Sequence, residues 1–491
     1  GDPKWTNTGP GGTADSGKGI IGSLNWLSAN GANSVYCLLM NLGGDGRDVS
    51  PFVDNPAEAG DGSDTVAPYD SEPLISGFDD SRLNYAVRRM NQWDRVIRHA
   101  NRKGIFVNMV LAETEDGNTN WLDDGNTVLS TQRKLFLKNM VAMFGHNLGL
   151  KWNLWEEVPL GSTEDEVSRA ELTSIAHWIQ DWDAVDYDEE RDEWIGHAIS
   201  VHGIPNFKRT VLSGFELMYQ DLIDNTSDGD WWLDATSMQI HGGESGTSSF
   251  TDPGDYSYYV EQMGGNFFSC DANGGTPGSS SRLVLLDVDE QGAPGTGYAS
   301  DDYTTAYSEA KSDARRKRVL FDVLFSGASG IEWYCGYYAN SSGPVNGGGD
   351  LALEDFDTRA DLLATTEAAI DFLTDTIHGA GGRDLFEFEA DDDLVSNEYV
   401  HSIYGGAEVY FQSQVCYLVY YPGMGTGGPG DIAIDHGGTS TIATAYWYDA
   451  EDMTYVSSET LGTDTGSQTY SPTAPSGATS ADDFVMAVIF R

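Results

Sequence analysis

The sequence predicts an α/β chain: a parallel (β/α)₈ TIM barrel whose first strand is missing from this chain, followed by a C-terminal antiparallel β-sandwich. Three observations predict it. Compact apolar runs of strand length alternate with helical stretches across the first three quarters of the chain, joined by short junctions, which is the pattern of parallel crossovers. The chain has 491 residues, more than one ordinary core holds. Near residue 380 the pattern switches to closely spaced β-rich runs separated by Gly, Ser and Thr.

The elements follow in order. Residues 17–30 carry apolar residues at helical spacing and stop before Gly31. SVYCLLMN (34–41) is a strand. A helix over 82–102, with Leu83, Val87, Met90, Val96 and Ile97 on its apolar face, ends at Gly104 and feeds the strand IFVNMVLAE (105–113). A helix over 130–147 leads to LKWNLWEE (150–157). IGHAISVHG (195–203), ATSMQIHGG (235–243), RLVLLDVDE (282–290) and GIEWYCGYY (330–338) continue the series, with a helix over 306–326 between the last two. Its basic cluster, ARRKR (314–318), reads as a solvated helical face pairing with surrounding acid. The count is one strand short of a barrel. The deficit lies at the front, because an irregular Gly/Pro/Thr-rich opening leads directly into a helix. An upstream segment of the same gene product is therefore expected.

GAGGRD (379–384) marks a junction, giving domains at 1–380 and 385–491. Past it, EVYFQSQVCYLVYYP (408–422), DIAIDH (431–436), TIATAYWYD (441–449) and DDFVMAVIF (482–490) read as strands of the sandwich.

Composition narrows the function. Asp plus Glu number 77 against 27 Lys plus Arg, a formal charge of −50. Such a surface repels nucleic acid and anionic membranes, whose binding needs cations to displace counterions. No apolar run approaches the ~20 residues of a membrane span. Acid dominated by Asp, with Lys scarce, points to a secreted or cell-surface protein in saline surroundings, where salt screens self-repulsion. Thermal melts from dilute buffer to molar NaCl are expected to show a rising Tm; a Tm that does not rise would remove the high-salt reading. Of the four cysteines, Cys37, Cys335 and Cys416 lie in apolar runs and read as buried free thiols, while Cys270 is left open to a disulfide.

In a β/α barrel, reactive groups project from the C-terminal ends of the strands. Those ends carry Asn41, Glu113, Glu156 with Glu157, His202, His241, Glu290 and Trp333. Carboxylates, histidines and an aromatic make a sugar-cleaving set. One carboxylic acid protonates the leaving oxygen and a second carboxylate attacks or activates water. Flat rings receive the C–H faces of sugars. Asn153 on the third run and Asp45 in GDGRD (44–48) are further substrate-binding candidates. GDGRD lacks the spacing of an EF-hand loop, so no metal is expected.

At these residues the sequence resembles known proteins. WNLWEEV (152–158) is similar to the W-x-x-x-N-E-P strand end of the large retaining glycoside hydrolase clan, and LLDVDEQG (285–292) to that clan's seventh strand end. The longer stretches GIIGSLNWLSANGANSVYCLLMNLGGDGRDVSPF, FGHNLGLKWNLWEE and SGIEWYCGYY resemble a family of secreted, cellulase-like barrel proteins. YLVYYP (417–422), AYWYDA (445–450) and DDFVMAVIF (482–490) resemble its C-terminal module, which is named for collagen binding in a collagenase. The resemblance implies Glu157 as acid/base and Glu290 as nucleophile, with Trp333 flooring the sugar subsite. Glu156 stands where the clan has Asn, and Val158 where it has Pro, so Glu156 is an alternative acid. The implied activity is retaining hydrolysis of an extracellular poly- or oligosaccharide by double displacement, with no cofactor. The alternative is a non-catalytic carbohydrate-binding or structural protein on a hydrolase-like barrel.

Overall fold

In the computed structural model, the residues described are 20–40, 51–52, 84–112, 129–156, 158, 169–183, 186–188, 193–203, 233–237, 287–291, 316–333, 360–379, 382–383, 385–396, 407–423, 428–438, 440–479 and 482–490. The chain divides into two compact units. The first comprises Gly1–Pro205, Val211–Gln239 and Tyr334–Phe356, and the second Asn206–Thr210, Ile240–Trp333 and Asp357–Arg491.

The first unit alternates helix and strand as its sequence periodicity requires: α1 (Ile20–Ala29), β1 (Ser34–Leu38), α2 (Val87–Arg102), β2 (Phe106–Val110), α3 (Thr131–Phe144), β3 (Leu150–Asn153) and α4 (Arg169–Gln180). A small hairpin, β4 (Asp186–Asp188) with β5 (Glu193–Ile195), precedes β6 (Ile199–Ser200). Helix ends are set locally. Gly31 and Gly104 take φ of 81° and 76°, open to glycine without strain, and stop α1 and α2. Ser130 caps α3 by accepting the Arg133 amide at 2.9 Å. Met90, Asp94, Ile97 and Ala100 bury one face of α2.

The four strands form a parallel sheet in the order β1-β2-β3-β6. A parallel bridge from His202 to Ser237 continues it. Each strand pairs with the next long-crossover strand in the chain, as the alternation predicted. Among the described residues β1 forms the edge.

Register sorts the side chains. Val35, Val107 and Leu150 align, as do Cys37, Met109, Trp152 and Ile199; these rows are mostly apolar. The alternate rows place Tyr36, Asn108 and Lys151 together, then Leu38, Val110, Asn153 and Ser200. Side chains alternate across a strand, so one face of the sheet is apolar and the other largely polar. On the apolar side Trp152 Nε1 donates to Asp183 Oδ2 at 2.8 Å. Asp183 also takes the His197 amide at 2.9 Å, and His197 Nε2 lies 2.9 Å from the Asn147 carbonyl. This buried knot ties the end of α4 to β3. Gly196 leaves room for it, since a Cβ there would stand 2.6 Å from the Asp183 carbonyl oxygen.

The second unit opens with β7 (Asp287–Gln291), then a π-helical turn at Arg316–Leu320, α5 (Phe321–Phe325) and β8 (Gly330–Trp333), which pairs parallel with β7. A helix, α6 (Ala360–Asp371), runs on as a π-helical segment to Gly379. The remainder is antiparallel: β9 (Glu389–Ala390), β10 (Glu408–Gln412), β11 (Cys416–Tyr421), β12 (Ile432–Asp435), β13 (Thr441–Asp449), β14 (Tyr455–Asp464), β15 (Ser467–Tyr470) and β16 (Phe484–Phe490). Six strands lie in the order β14-β13-β16-β11-β10-β9, and β12 pairs with β15. Ile432 and Ile434 of the small sheet share one core with Val419, Tyr421, Trp447, Met486 and Val488 of the large one.

Aromatic rings from the helical segments meet the large sheet. Phe321 stacks on Tyr420 at 4.2 Å, and Phe372 lies 4.8 Å from Tyr448. Arg316 is buried and grips Asp483 through Nε–Oδ2 at 2.8 Å and Nη2–Oδ1 at 3.0 Å. Tyr420 Oη donates to the same carboxylate at 3.1 Å, and burial, with the Asp483 charge adding to it, holds the phenol well above its ordinary pKa. Lys317 is buried as well, 3.6 Å from Asp483. These two members of the basic cluster therefore pair with acid, as expected, but inside the protein rather than on a solvated face. Cys37 and Cys416 are free, Cys416 buried; Cys270 and Cys335 lie outside the described residues. No described helix is long and apolar enough to cross a membrane.

Candidate functional site

The polar face of the first unit's sheet ends in a cluster at the C-terminal ends of its strands. Tyr36 of β1 points its hydroxyl at Glu156 Oε1, 3.0 Å away, and at His202 Nδ1, 3.3 Å away. The Tyr36 and His202 rings meet edge to face at 5.8 Å. Asn153 Nδ2 donates to Ser237 Oγ at 2.9 Å. Asn153, Ser200, His202 and Ser237 are fully buried, and Glu156 is 3% exposed.

A backbone irregularity delivers Glu156 there. Leu154 N donates to the Ser200 carbonyl, yet His202 N donates to the Trp155 carbonyl, where an even parallel ladder would use Leu154. The extra residue on the β3 side resets the alternation, so that Asn153 and Glu156 share a face. Trp155 turns away, its ring beneath the Arg133 guanidinium at 5.5 Å.

His202 is neutral in this setting. Burial, with the charge of Lys151 adding to it, pushes the imidazole down to about 3. Unfolding returns the ring to its ordinary value of about 6.5. Between those values the unfolded chain binds a proton that the folded chain refuses. Stability therefore falls as pH drops through that window, on the order of 1.4 kcal/mol per pH unit. His202→Gln is expected to flatten this acid limb in chemical-unfolding series between pH 7 and 4. Parallel curves for wild type and variant would show that the ring does not titrate this way.

Of the sequence-predicted residues, the structure brings Glu156 and His202 together and places Asn153 on the same face. Glu157, Asn41, Asp45, Glu113 and His241 lie outside the described residues. Glu290 lies on β7, where the pairing with β8 slips between Val288 and Gln291, so the bulge contains Glu290. Trp333 ends β8, and its indole N–H donates to Thr366 Oγ1 of α6 at 2.9 Å. Both candidate strand ends are thus irregular, as strand ends beside reactive sites often are. Sequence reasoning missed Tyr36 and Ser237. Tyr36 lies mid-strand, two residues before Leu38; its alternation with Val35 and Cys37 was the available signal.

No family model matches the sequence, and no curated protein matches it. Among solved structures, a candidate glycoside hydrolase from Bacteroides vulgatus ATCC 8482 aligns over 100% of this chain and 78% of its own, at 12% identity and a TM-score of 0.54. That likeness shows a shared fold. A γ-CGTase from alkalophilic Bacillus clarkii aligns over 99% of this chain and 69% of its own, at 9% identity and a TM-score of 0.48. An endo-1,4-β-mannanase from Rhizomucor miehei aligns over 72% of this chain and 90% of its own, at 13% identity and a TM-score of 0.41.

Proposed function

We propose that the chain is a retaining glycoside hydrolase of an extracellular, saline setting. Its barrel would occupy 1–380, with a β-sandwich accessory domain at 385–491. The observation that carries this is the polar cluster of Asn153, Glu156 and His202 at the C-terminal ends of neighbouring parallel strands, joined by Tyr36 from the middle of β1 and immediately before Glu157 in sequence. Parallel sheets ordinarily bury apolar side chains on both faces, so a buried polar layer at strand ends is what a reactive site needs and a plain core does not. The fold shared with the Bacteroides vulgatus protein supports the same reading.

In this mechanism Glu290, ionised, attacks the anomeric carbon. The glycosidic C–O bond breaks, and the leaving oxygen takes the Glu157 proton. Water then attacks the glycosyl ester, giving its proton to Glu157 and releasing Glu290. Asn153, His202, His241, Trp333, Asn41 and Asp45 would hold sugar hydroxyls and ring faces. The two carboxylates complete the chemistry without a cofactor.

One observation favours the rival, a non-catalytic carbohydrate-binding or assembly protein: the described cluster residues Asn153, Glu156 and His202 are almost wholly buried. A glycan-library hydrolysis screen in high salt, with Glu290→Gln as control, separates the two. Hydrolysis with retention at the anomeric centre, lost in Glu290→Gln, is expected. Saturable glycan binding without turnover would establish the rival.

A further inference from the structure

We propose that the end of the first unit's sheet remote from Glu156 and His202 is a self-association surface, on which two copies of this chain pair about a two-fold axis near Leu148. The inference does not depend on the hydrolase reading.

Position comes first. Phe106 opens β2, Leu148 lies two residues before β3, and Trp182 lies just past α4. All three stand where the parallel strands begin, whereas Glu156 and His202 stand where they end. Phe106 is 37% exposed, Leu148 74% and Trp182 45%. Hydrogen bonds tie them into one patch. Val107 N donates to the Gly149 carbonyl. Asn101 of α2 clamps Gly149 from both sides, Nδ2 to its carbonyl and Oδ1 from its amide, each at 3.0 Å. Across the loop, the Asn147 carbonyl meets His197 Nε2, and His197 Nδ1 meets Asp183, the neighbour of Trp182. Leu148 therefore sits between the C-terminal end of α2 and that of α4.

Charge is ordered across this line. α2 is the cationic flank. In a chain with 77 acids to 27 bases, it carries five arginines and one acid. That acid, Asp94, is buried between Arg98 and His146. Arg95, Arg98 and Arg102 recur at spacings of three and four, so they share one exposed stripe, which Lys103 extends. Arg95, Arg102 and Lys103 make no ion pair among the described residues. The end of α4 is the acidic flank. Exposed Asp181 precedes Trp182, and the chain runs on into the β4–β5 hairpin, whose strands contain Asp186, Asp188 and Glu193. Lys138 is the one cation on this side, and its ammonium lies 3.5 Å over the Trp182 ring, which it holds in place.

A cationic flank, an apolar centre and an acidic flank complement a rotated copy of themselves. A half-turn about Leu148 sets each copy's α2 against the other's α4 end and brings the two leucines together, the isologous arrangement of a two-fold dimer. Charge complementarity thus names the occupant as a second copy of this chain. Tryptophan and arginine are also the side chains from which interface hot spots are mostly drawn.

Sedimentation equilibrium of the full chain over a concentration series, at about 0.15 M and about 2 M NaCl, tests this. A monomer–dimer equilibrium is expected at both. Two-fold symmetry repeats every contact, so each substitution acts twice. Leu148→Asp, at an exposed position that the fold does not need, should raise the dimer Kd about tenfold or more at both salts. Arg102→Glu and Asp181→Arg should each raise it at the lower salt and change little at the higher, where screening reaches across only about 3 Å or less. The double variant Arg102→Glu with Asp181→Arg exchanges the charges of the two flanks and should restore pairing. Far-UV CD checks that each variant is folded. A monomer throughout, a dimer indifferent to Leu148→Asp, or a double variant no tighter than the two singles overturns the proposal. An open series of larger species, the mark of a head-to-tail contact, overturns it as well.

Discussion

Asp483→Ala is expected to destabilise the second unit by about 3–5 kcal/mol, the scale set by breaking a buried ion pair from one side. Arg316 stays charged at any pH a protein survives. Its guanidinium is buried and gives two hydrogen bonds to Asp483. Removing the carboxylate leaves that charge in the interior and also strips Tyr420 Oη of its acceptor. Asp483→Asn, which keeps the shape and loses the charge, should cost less but still more than a surface change. Replacing both partners together, as Arg316→Met with Asp483→Leu, should recover part of the loss, because the Arg316 charge leaves with its partner while buried Lys317 still loses Asp483. Urea unfolding followed by fluorescence and far-UV CD reads all three. A single Asp483→Ala within about 0.5 kcal/mol of wild type, the spread of ordinary surface changes, would show that the pair is not buried as described.

The consequence reaches the fold. Arg316 precedes α5 in the β/α part of the sequence, whereas Asp483 stands just before β16, near the end of the antiparallel sheet. The stack of Phe321 on Tyr420 lies alongside. In sequence terms, Arg316 is one cation in a run of four and Asp483 one acid among 17 after residue 383. Nothing local distinguishes either from a solvated charge. Only the fold, by bringing residues 167 apart together, makes them a buried pair.

The elements that sequence revealed were those with a strong period. The long-crossover strands of the parallel sheet and helices α1 to α3 were legible because each buries one apolar row. Boundaries differ where geometry intervenes. EVYFQSQVCYLVYYP reads as one apolar run, but Gln414 adopts a φ of 64° and the chain turns back there, splitting the run into β10 and β11. Gln414 Nε2 donates to Asp435 Oδ2 at 3.0 Å, which helps hold the turn. No Asn-Gly or Asp-Gly signalled it. β14 and β15 were not legible at all. β14 is the sheet's outer strand, largely exposed along YVSSETLGTD, so burial imposes no alternation to read. In the site, the strand ends were legible because parallel crossovers end there. Tyr36 was not, because its contacts depend on which residues just beyond β3 and β6 the sheet sets beside it.

Glu290→Gln is expected to abolish turnover on every substrate, whereas Glu157→Gln should discriminate between leaving groups. The two effects follow from separate roles. Without an ionised Glu290 no glycosyl ester forms, so even a good leaving group does not help, and a loss beyond about 10⁴-fold is expected in both kcat and kcat/KM. Glu157 matters in proportion to the leaving group's need for a proton. A poor leaving group such as a sugar hydroxyl should lose about 10²–10⁴-fold, while an acidic phenol departs unaided and leaves the first step nearly intact. The ester then accumulates for want of a base. Added azide, which needs no base, should restore turnover in Glu157→Gln and yield a glycosyl azide of retained configuration. Double displacement also requires the two carboxyls about 5–5.5 Å apart, with a wider gap of about 9 Å giving inversion instead. The substitutions decide between neighbours as well. If azide rescues Glu156→Gln and not Glu157→Gln, the acid is Glu156, and Tyr36 serves the acid directly. If Glu290→Gln keeps its rate on the phenyl substrates, the nucleophile lies elsewhere and the retaining assignment fails.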